Sequence, residues 1–210
     1  MTNNIIQMAA SGFAPAPITK GLIRYGAKKL YLFPLSDESS KLTLKNILSR
    51  AEEDLGIEVK VISKNQYKIG DLVKEMRKII SEEHNQNNQI YINLSGGRKT
   101  QSFSLYIAAC LEGIKVEKAF YIAEEDNEFI EVPLIRSSVN TLLSKEKLEI
   151  LAITEDKKLI TNAMLTKILG KTKPLIHNYL KELQSLGYLS STKSGKEFVY
   201  EITEAGKMLL

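Results

Sequence analysis

The stretch 90–113, IYINLSGGRKTQSFSLYIAACLEG, constrains the fold more than any other. Residues 90–94 form a short apolar run suited to a buried parallel strand, Ser95, Gly96 and Gly97 interrupt it, and from 100 to 111 apolar residues return at helical spacing. The pattern predicts a strand, a glycine turn and a helix. The first backbone N–H groups of such a helix lack intrahelical partners and its dipole puts the positive end at the turn, so an anion the size of a phosphate fits there. Two adjacent glycines permit positive φ and close approach of a ligand to the backbone, and Arg98 and Lys99 add two cations. Asn93, Ser95, Gly96, Gly97, Arg98, Lys99 and Thr100 are therefore candidate ligand contacts.

Neither common nucleotide fingerprint is present. A P-loop needs glycine directly before its lysine and another five residues earlier, where this chain has Arg98 and Asn93. No G-x-G-x-x-G follows the first strand. A tight strand-to-helix connection with two solvated cations is the competing reading, and the rest of the chain weighs against it.

Residues 4–10 read as a first strand and 11–17 (SGFAPAP) as a second turn, with Pro17 opening a helix that runs to about Tyr25 and stops at Gly26. Strands at 29–35 and 57–62 and helices at 42–55 and 71–83 follow, and the strands 116–123 and 129–135 close as a hairpin over the acidic turn 124–128. The fold class is α/β, with a Rossmann-like, mostly parallel sheet of about six strands over residues 1–137. Loops at the carboxyl ends of parallel strands line the crevice where ligands bind, which sets Ser11, Gly12 and Phe13 beside the glycine pair and adds Ser36 and Asp37 after the second strand.

At 43% hydrophobic residues the chain can bury a real core, and its apolar runs are too short to span a bilayer, so a cytoplasmic protein without membrane contact is expected. One cysteine, Cys110, on the inner face of the helix after the glycine turn, and two histidines exclude an internal disulfide and the usual zinc sites; no metal and no cofactor is expected. The net charge of +4 is uneven. Residues 1–137 carry 18 basic and 17 acidic side chains, residues 138–210 carry 11 and 8.

The pattern changes in that second segment, expected as a separate domain over 138–210. Helices at 145–153, 161–169 and 172–186 precede a hairpin with its tip at 191–196, which is the order of a winged helix-turn-helix. In the third helix Thr172 caps, and Leu175, Ile176, Tyr179, Leu180 and Leu183 face the core. Lys171, Thr172, Lys173, His177, Asn178 and Lys181 are left for phosphates and base edges, with Lys193 and Lys196 at the wing tip for the DNA backbone. A winged helix serving protein contacts alone is the competing reading.

These residues together resemble the CRISPR-associated CARF family, in particular archaeal regulators that join an N-terminal CARF domain to a C-terminal winged helix. The resemblance spans the whole chain. It rests on the Ser11-Gly12-Phe13 turn, the helix with Thr19, Lys20 and Arg24, and Asn93-Leu94-Ser95-Gly96-Gly97-Arg98-Lys99, which is similar to the family pattern N-x-[ST]-G-G-x-K. It implies a homodimer with one twofold-symmetric pocket for a cyclic oligoadenylate, the tetra-adenylate foremost, in which residues 95–99 hold phosphates and Ser11, Gly12 and Phe13 meet ribose or base.

The resulting expectation is a transcriptional regulator that binds double-stranded DNA and is switched by the nucleotide ring. Slow cleavage of that ring is the enzymatic alternative, with Lys99 and either Ser11 or Ser95 positioning a ribose hydroxyl against its phosphate. A third class is an adaptor that binds no DNA. The spacing of Arg77 and His84 matches a loose ribonuclease motif, but inside a sensor-domain helix it reads as a solvated helix end.

Overall fold

The computed structural model describes residues 3–135, 142–195 and 197–210. The chain divides into two compact units, Met1–Ser138 and Val139–Leu210. The boundary expected between 137 and 138 lies outside the described residues, as does Lys196.

The first unit alternates strands and helices: β1 (Ile5–Ala10), α1 (Ala16–Tyr25), β2 (Lys29–Phe33), α2 (Lys41–Leu48), β3 (Glu58–Val61), α3 (Ile69–Asn85), β4 (Gln89–Asn93), α4 (Lys99–Leu111), β5 (Lys118–Ile122) and β6 (Phe129–Val132). The six strands form one sheet in the order β3-β2-β1-β4-β5-β6. Every neighbouring pair is parallel except β5 and β6, which close as an antiparallel hairpin. Successive strands run outward from β1 through β2 to β3, then jump back to β4 on the other side of β1, so the order reverses between β1 and β4. That reversal opens a crevice at the carboxyl ends of these two strands.

Burial follows the pattern of parallel strands covered on both faces. Ile6, Met8, Ala9 and Ala10 of β1 and Leu30, Leu32 and Phe33 of β2 are buried. Ala9, Leu30 and Leu32 cluster with Ile18 and Leu22 of α1 and with Ile47 and Ala51 of the α2 segment. The helix expected over 42–55 is regular only to Leu48, and its last part, Ser49–Asp54, widens into a π-helical turn.

The second unit has α5 (Lys145–Lys157), β7 (Ile160–Thr161), α6 (Asn162–Leu169), α7 (Lys173–Ser185), β8 (Leu189–Ser194), β9 (Glu197–Ile202) and a short α8 (Glu204–Lys207). A three-stranded sheet in the order β7-β9-β8 joins the hairpin to the two-residue strand β7, which periodicity did not predict. Ile176, Leu180 and Leu183 form the buried stripe of α7, while Leu175, expected in the core, is exposed and Tyr179 is half-buried. A stripe at i, i+4 and i+7 leaves the preceding residue on the flank of the helix. No helix among the described residues is long and apolar enough to cross a membrane.

Candidate functional site: two glycine turns at the strand crossover

The turn after β1 and the turn after β4 meet backbone to backbone. A Cβ on Gly12 would stand 3.1 Å from the Gly97 nitrogen, and one on Gly96 would stand 2.3 Å from the Ala10 carbonyl oxygen. Gly97 has φ +81°, a left-handed backbone, and a Cβ there would lie 2.4 Å from that of Ala10. Side chains at 96 and 97 would therefore force the turns apart. The two strand ends that flank the crevice are held at van der Waals distance by three glycines.

Buried amides fasten this arrangement. Asn93 is fully buried at the end of β4; its Nδ2 donates to the Pro17 carbonyl at 3.1 Å and its Oδ1 accepts from the Ser95 N–H at 3.0 Å. One N–H and the oxygen of the amide are thus used within the protein, and Asn93, expected to touch ligand, ties one turn to the other. Gln101, in the first turn of α4, accepts the Arg98 N–H at 3.0 Å and donates to the carbonyls of Phe33 and Pro34, each at 3.2 Å. Gln66 is also buried and accepts the Ser36 N–H at 3.2 Å. Sequence reading missed both glutamines: Gln101 at the third position of α4 is a local helix-start signal, but its bonds to Phe33 and Pro34, like the bond of Gln66 to Ser36, are to backbone groups far away in the chain.

The charged side chains sit around the mouth. Arg98, at the N-cap of α4, places Nη2 at 2.6 Å from Asp37 Oδ2, and its guanidinium carbon is 5.8 Å from the centre of the Tyr67 ring. The hydrogen bond to Asp37, and then the charge of that carboxylate, hold the guanidinium pKa above its ordinary value. Lys99, the first residue of α4, is exposed. The helix supplies N–H groups and a positive dipole end at the same place.

The remaining predicted residues divide. Phe13 is 63% exposed, with its carbonyl accepting the Thr43 hydroxyl at 3.1 Å. Ser36 is exposed and Asp37 half-buried. Ser95 Oγ accepts the Ile122 N–H at 2.9 Å and so links the turn to the end of β5. Ser11 is fully buried, and its Oγ, like Thr100 Oγ1 and Arg98 Nε, is a buried polar atom without a hydrogen-bond partner among the described residues. In this conformation the Ser11 hydroxyl is not presented to a ligand. Lys20 and Arg24 point away from the turns, Lys20 to Asn127 and Arg24 over the Phe129 ring at 4.4 Å, where they brace the β5–β6 hairpin. Arg77 is held by Glu112 at 2.9 Å, which gives it a structural partner between α3 and the end of α4.

In the second unit Thr172, Lys173, His177, Asn178, Lys181 and Lys193 are exposed and Lys171 is half-buried. Thr172 occupies the N-cap of α7 without a side-chain capping bond, contrary to the cap expected of it. Lys173 and His177 share a 170 Å³ cavity with Glu197 and Phe198 of the hairpin, so the N-terminal end of α7 and the hairpin stand together.

The chain is similar to several known proteins. Uncharacterized protein MJ1513 of Methanocaldococcus jannaschii is 25% identical over 169 residues, 75% of this chain and 48% of that protein; the chain thus spans about half the length of the curated relative it matches. The crystal structure of VC1899 from Vibrio cholerae is 10% identical with a TM-score of 0.51, over 97% of this chain and 63% of the other, which is a likeness of fold. Csm6 of Enterococcus italicus, solved with cyclic hexa-2'-fluoro-hexa-dAMP bound, has a TM-score of 0.49 at 12% identity over 88% of this chain and 54% of that one, too low to carry an argument. The model of the family described as HFX_2341_N:-like, N-terminal, matches residues 5–127, the whole of the crossover sheet up to its closing hairpin, and the chain belongs to that family.

Proposed function

We propose that the first unit is a CARF-type sensor that binds a cyclic oligoadenylate, the tetra-adenylate foremost, across the twofold axis of a homodimer. On this reading the second unit is a winged helix-turn-helix that binds double-stranded DNA, and the protein is a CRISPR-associated transcriptional regulator. The observation that carries the reading is the contact of the two glycine turns at the β1/β4 crossover, 3.1 Å from a Gly12 Cβ position to the Gly97 nitrogen, with Arg98 and Lys99 at its rim. Such a mouth offers backbone donors, a helix dipole and two cations to phosphates, and a ring with one phosphate per nucleotide matches the same turns used twice. The motif resemblance over 93–99 points the same way.

For the DNA part, the exposed row Lys173, His177, Asn178 and Lys181 on α7 stands beside a hairpin that carries Lys193. Ligand acts on this face only by favouring one arrangement of the dimer over another. The test is DNA affinity with and without saturating cyclic tetra-adenylate: a change of about tenfold supports coupling, which typically amounts to ~1–3 kcal/mol, and equal affinities refute it. Ring cleavage is the second reading, for which Lys99 is exposed beside the glycine turn. Of the hydroxyl partners considered for that lysine, Ser11 is buried and Ser95 Oγ accepts the Ile122 N–H. Incubation of protein with ring, followed by a search for linear product, decides between holding and cutting.

A further inference from the structure

We infer that Tyr67 is a nucleobase platform of the glycine-turn site, a residue that sets preference for a base-bearing ligand over a bare phosphate. The inference rests on the oligoadenylate reading above. Tyr67 follows β3 and precedes α3, so the parallel order of β3, β2, β1 and β4 brings its loop to the same end of the sheet as the glycine turns. The loop is fixed there. Gln66 is 2% exposed and its Oε1 accepts the Ser36 N–H, while the Tyr67 N–H donates to Asn65 Oδ1 at 3.0 Å and the Lys68 N–H to the Asn65 carbonyl at 3.1 Å.

The turn is anchored by the residue before Tyr67, and Tyr67 itself is 63% exposed. Its neighbour across the loop is Arg98, whose guanidinium carbon lies 5.8 Å from the ring centre and whose Nη2 is on Asp37. An exposed aromatic ring beside a cation placed for phosphate is what a nucleotide needs, since the phosphate takes the cation and the flat base takes the side of the ring away from it. A phosphate alone has no use for the ring. Stacking tolerates any base and favours the larger purine surface, which suits adenine.

The experiment uses the full chain and a cyclic tetra-adenylate with one adenine replaced by 2-aminopurine, whose fluorescence falls when it stacks. Wild type and Tyr67→Phe are expected to quench the probe and bind with equal affinity. Tyr67→Ala and Tyr67→Leu are expected to bind about tenfold more weakly and to lose the quench, with inhibition by inorganic pyrophosphate unchanged in all four proteins. Tyr67→Leu keeps apolar bulk next to Arg98 and thereby separates stacking from packing. Tight binding and full quenching by Tyr67→Ala would overturn the role of Tyr67 while leaving the oligoadenylate site standing. Absence of any binding by wild type would overturn the site itself and the platform with it.

Discussion

Arg98 Nη2 and Asp37 Oδ2 lie 2.6 Å apart across the ends of β4 and β2, so the cation best placed for a phosphate is already engaged by a carboxylate of the same chain. Both side chains are more than a third exposed, at 40% and 34%, and a pair so open to solvent contributes little to stability. Its larger effect is on binding, because an arriving phosphate meets a neutralised guanidinium and a nearby negative charge. The Asp37→Asn variant is expected to bind cyclic tetra-adenylate about three- to fivefold more tightly, from a repulsion of roughly 1 kcal/mol in water. Calorimetry checks this, with thermal unfolding as the control for an unchanged fold; weaker binding would show that Asp37 orients Arg98 for the ligand.

The glycines are expected to separate packing from binding. In Gly96→Ala the new methyl meets the Ala10 carbonyl at 2.3 Å, a backbone atom that cannot step aside, and the variant should lose roughly 2–3 kcal/mol or fail to fold. Gly12→Ala meets the Gly97 nitrogen at 3.1 Å and should lose no more than about 1 kcal/mol while weakening ligand binding about tenfold, since a few tenths of an ångström between the turns spoils the donor geometry. Gly26→Ala, at φ +65° with nothing within 4 Å, is the comparison for strain without crowding. It should cost about 1–2 kcal/mol and leave ligand affinity as it was.

Much of this was legible in the sequence, for identifiable reasons. Parallel strands buried on both faces read as continuous apolar runs, which is why residues 29–35 and 90–94 stand out as strands, and consecutive glycines between a strand and a helix signal a backbone that must approach something closely. That the something is, in the first instance, the β1 turn of the same chain is a long-range fact. The same holds for the hydrogen bonds that Asn93, Gln101 and Gln66 make across the fold, to groups 30 to 76 residues away. Leu175 failed for a different reason: apolar residues outnumber the positions in the buried stripe of α7, and the spacing alone does not say which of them is left out.

At the opposite end of the sheet Glu83 is buried and accepts from Tyr31 Oη at 2.5 Å, Lys29 Nζ at 2.9 Å and Asn88 Nδ2 at 2.6 Å. Burial acts to raise its pKa, but the hydrogen bonds from Tyr31, Lys29 and Asn88 outweigh it and hold the carboxyl below its ordinary value. Because the folded value is depressed, the stabilisation is present above the unfolded pKa, about 4.3, and is lost as pH falls through the lower folded value. Glu83→Gln should lose roughly 2–3 kcal/mol at pH 7 and show a flatter dependence of stability on pH below about 4.3. Urea unfolding of both proteins between neutral and acid pH reads this; parallel curves would contradict it.

On the second unit, Lys173 and Lys181 are exposed on α7. If both neutralise phosphates, Lys173→Ala with Lys181→Ala should weaken binding to operator and random DNA alike and reduce the slope of log K against log salt by roughly 2. Fluorescence anisotropy over a salt series measures it. An unchanged slope would place the DNA face elsewhere or remove it.

The central claim is tested most directly by titrating the wild-type chain with cyclic tetra-adenylate in a calorimeter, beside the double variant Arg98→Ala, Lys99→Ala. The account predicts saturable binding with one ring for every two chains, and loss of at least about a hundredfold in affinity when both cations are removed, since charge-assisted phosphate contacts contribute roughly 1.5–3 kcal/mol each. A wild-type chain that takes up no ring, or a double variant that binds as tightly as wild type, would contradict it.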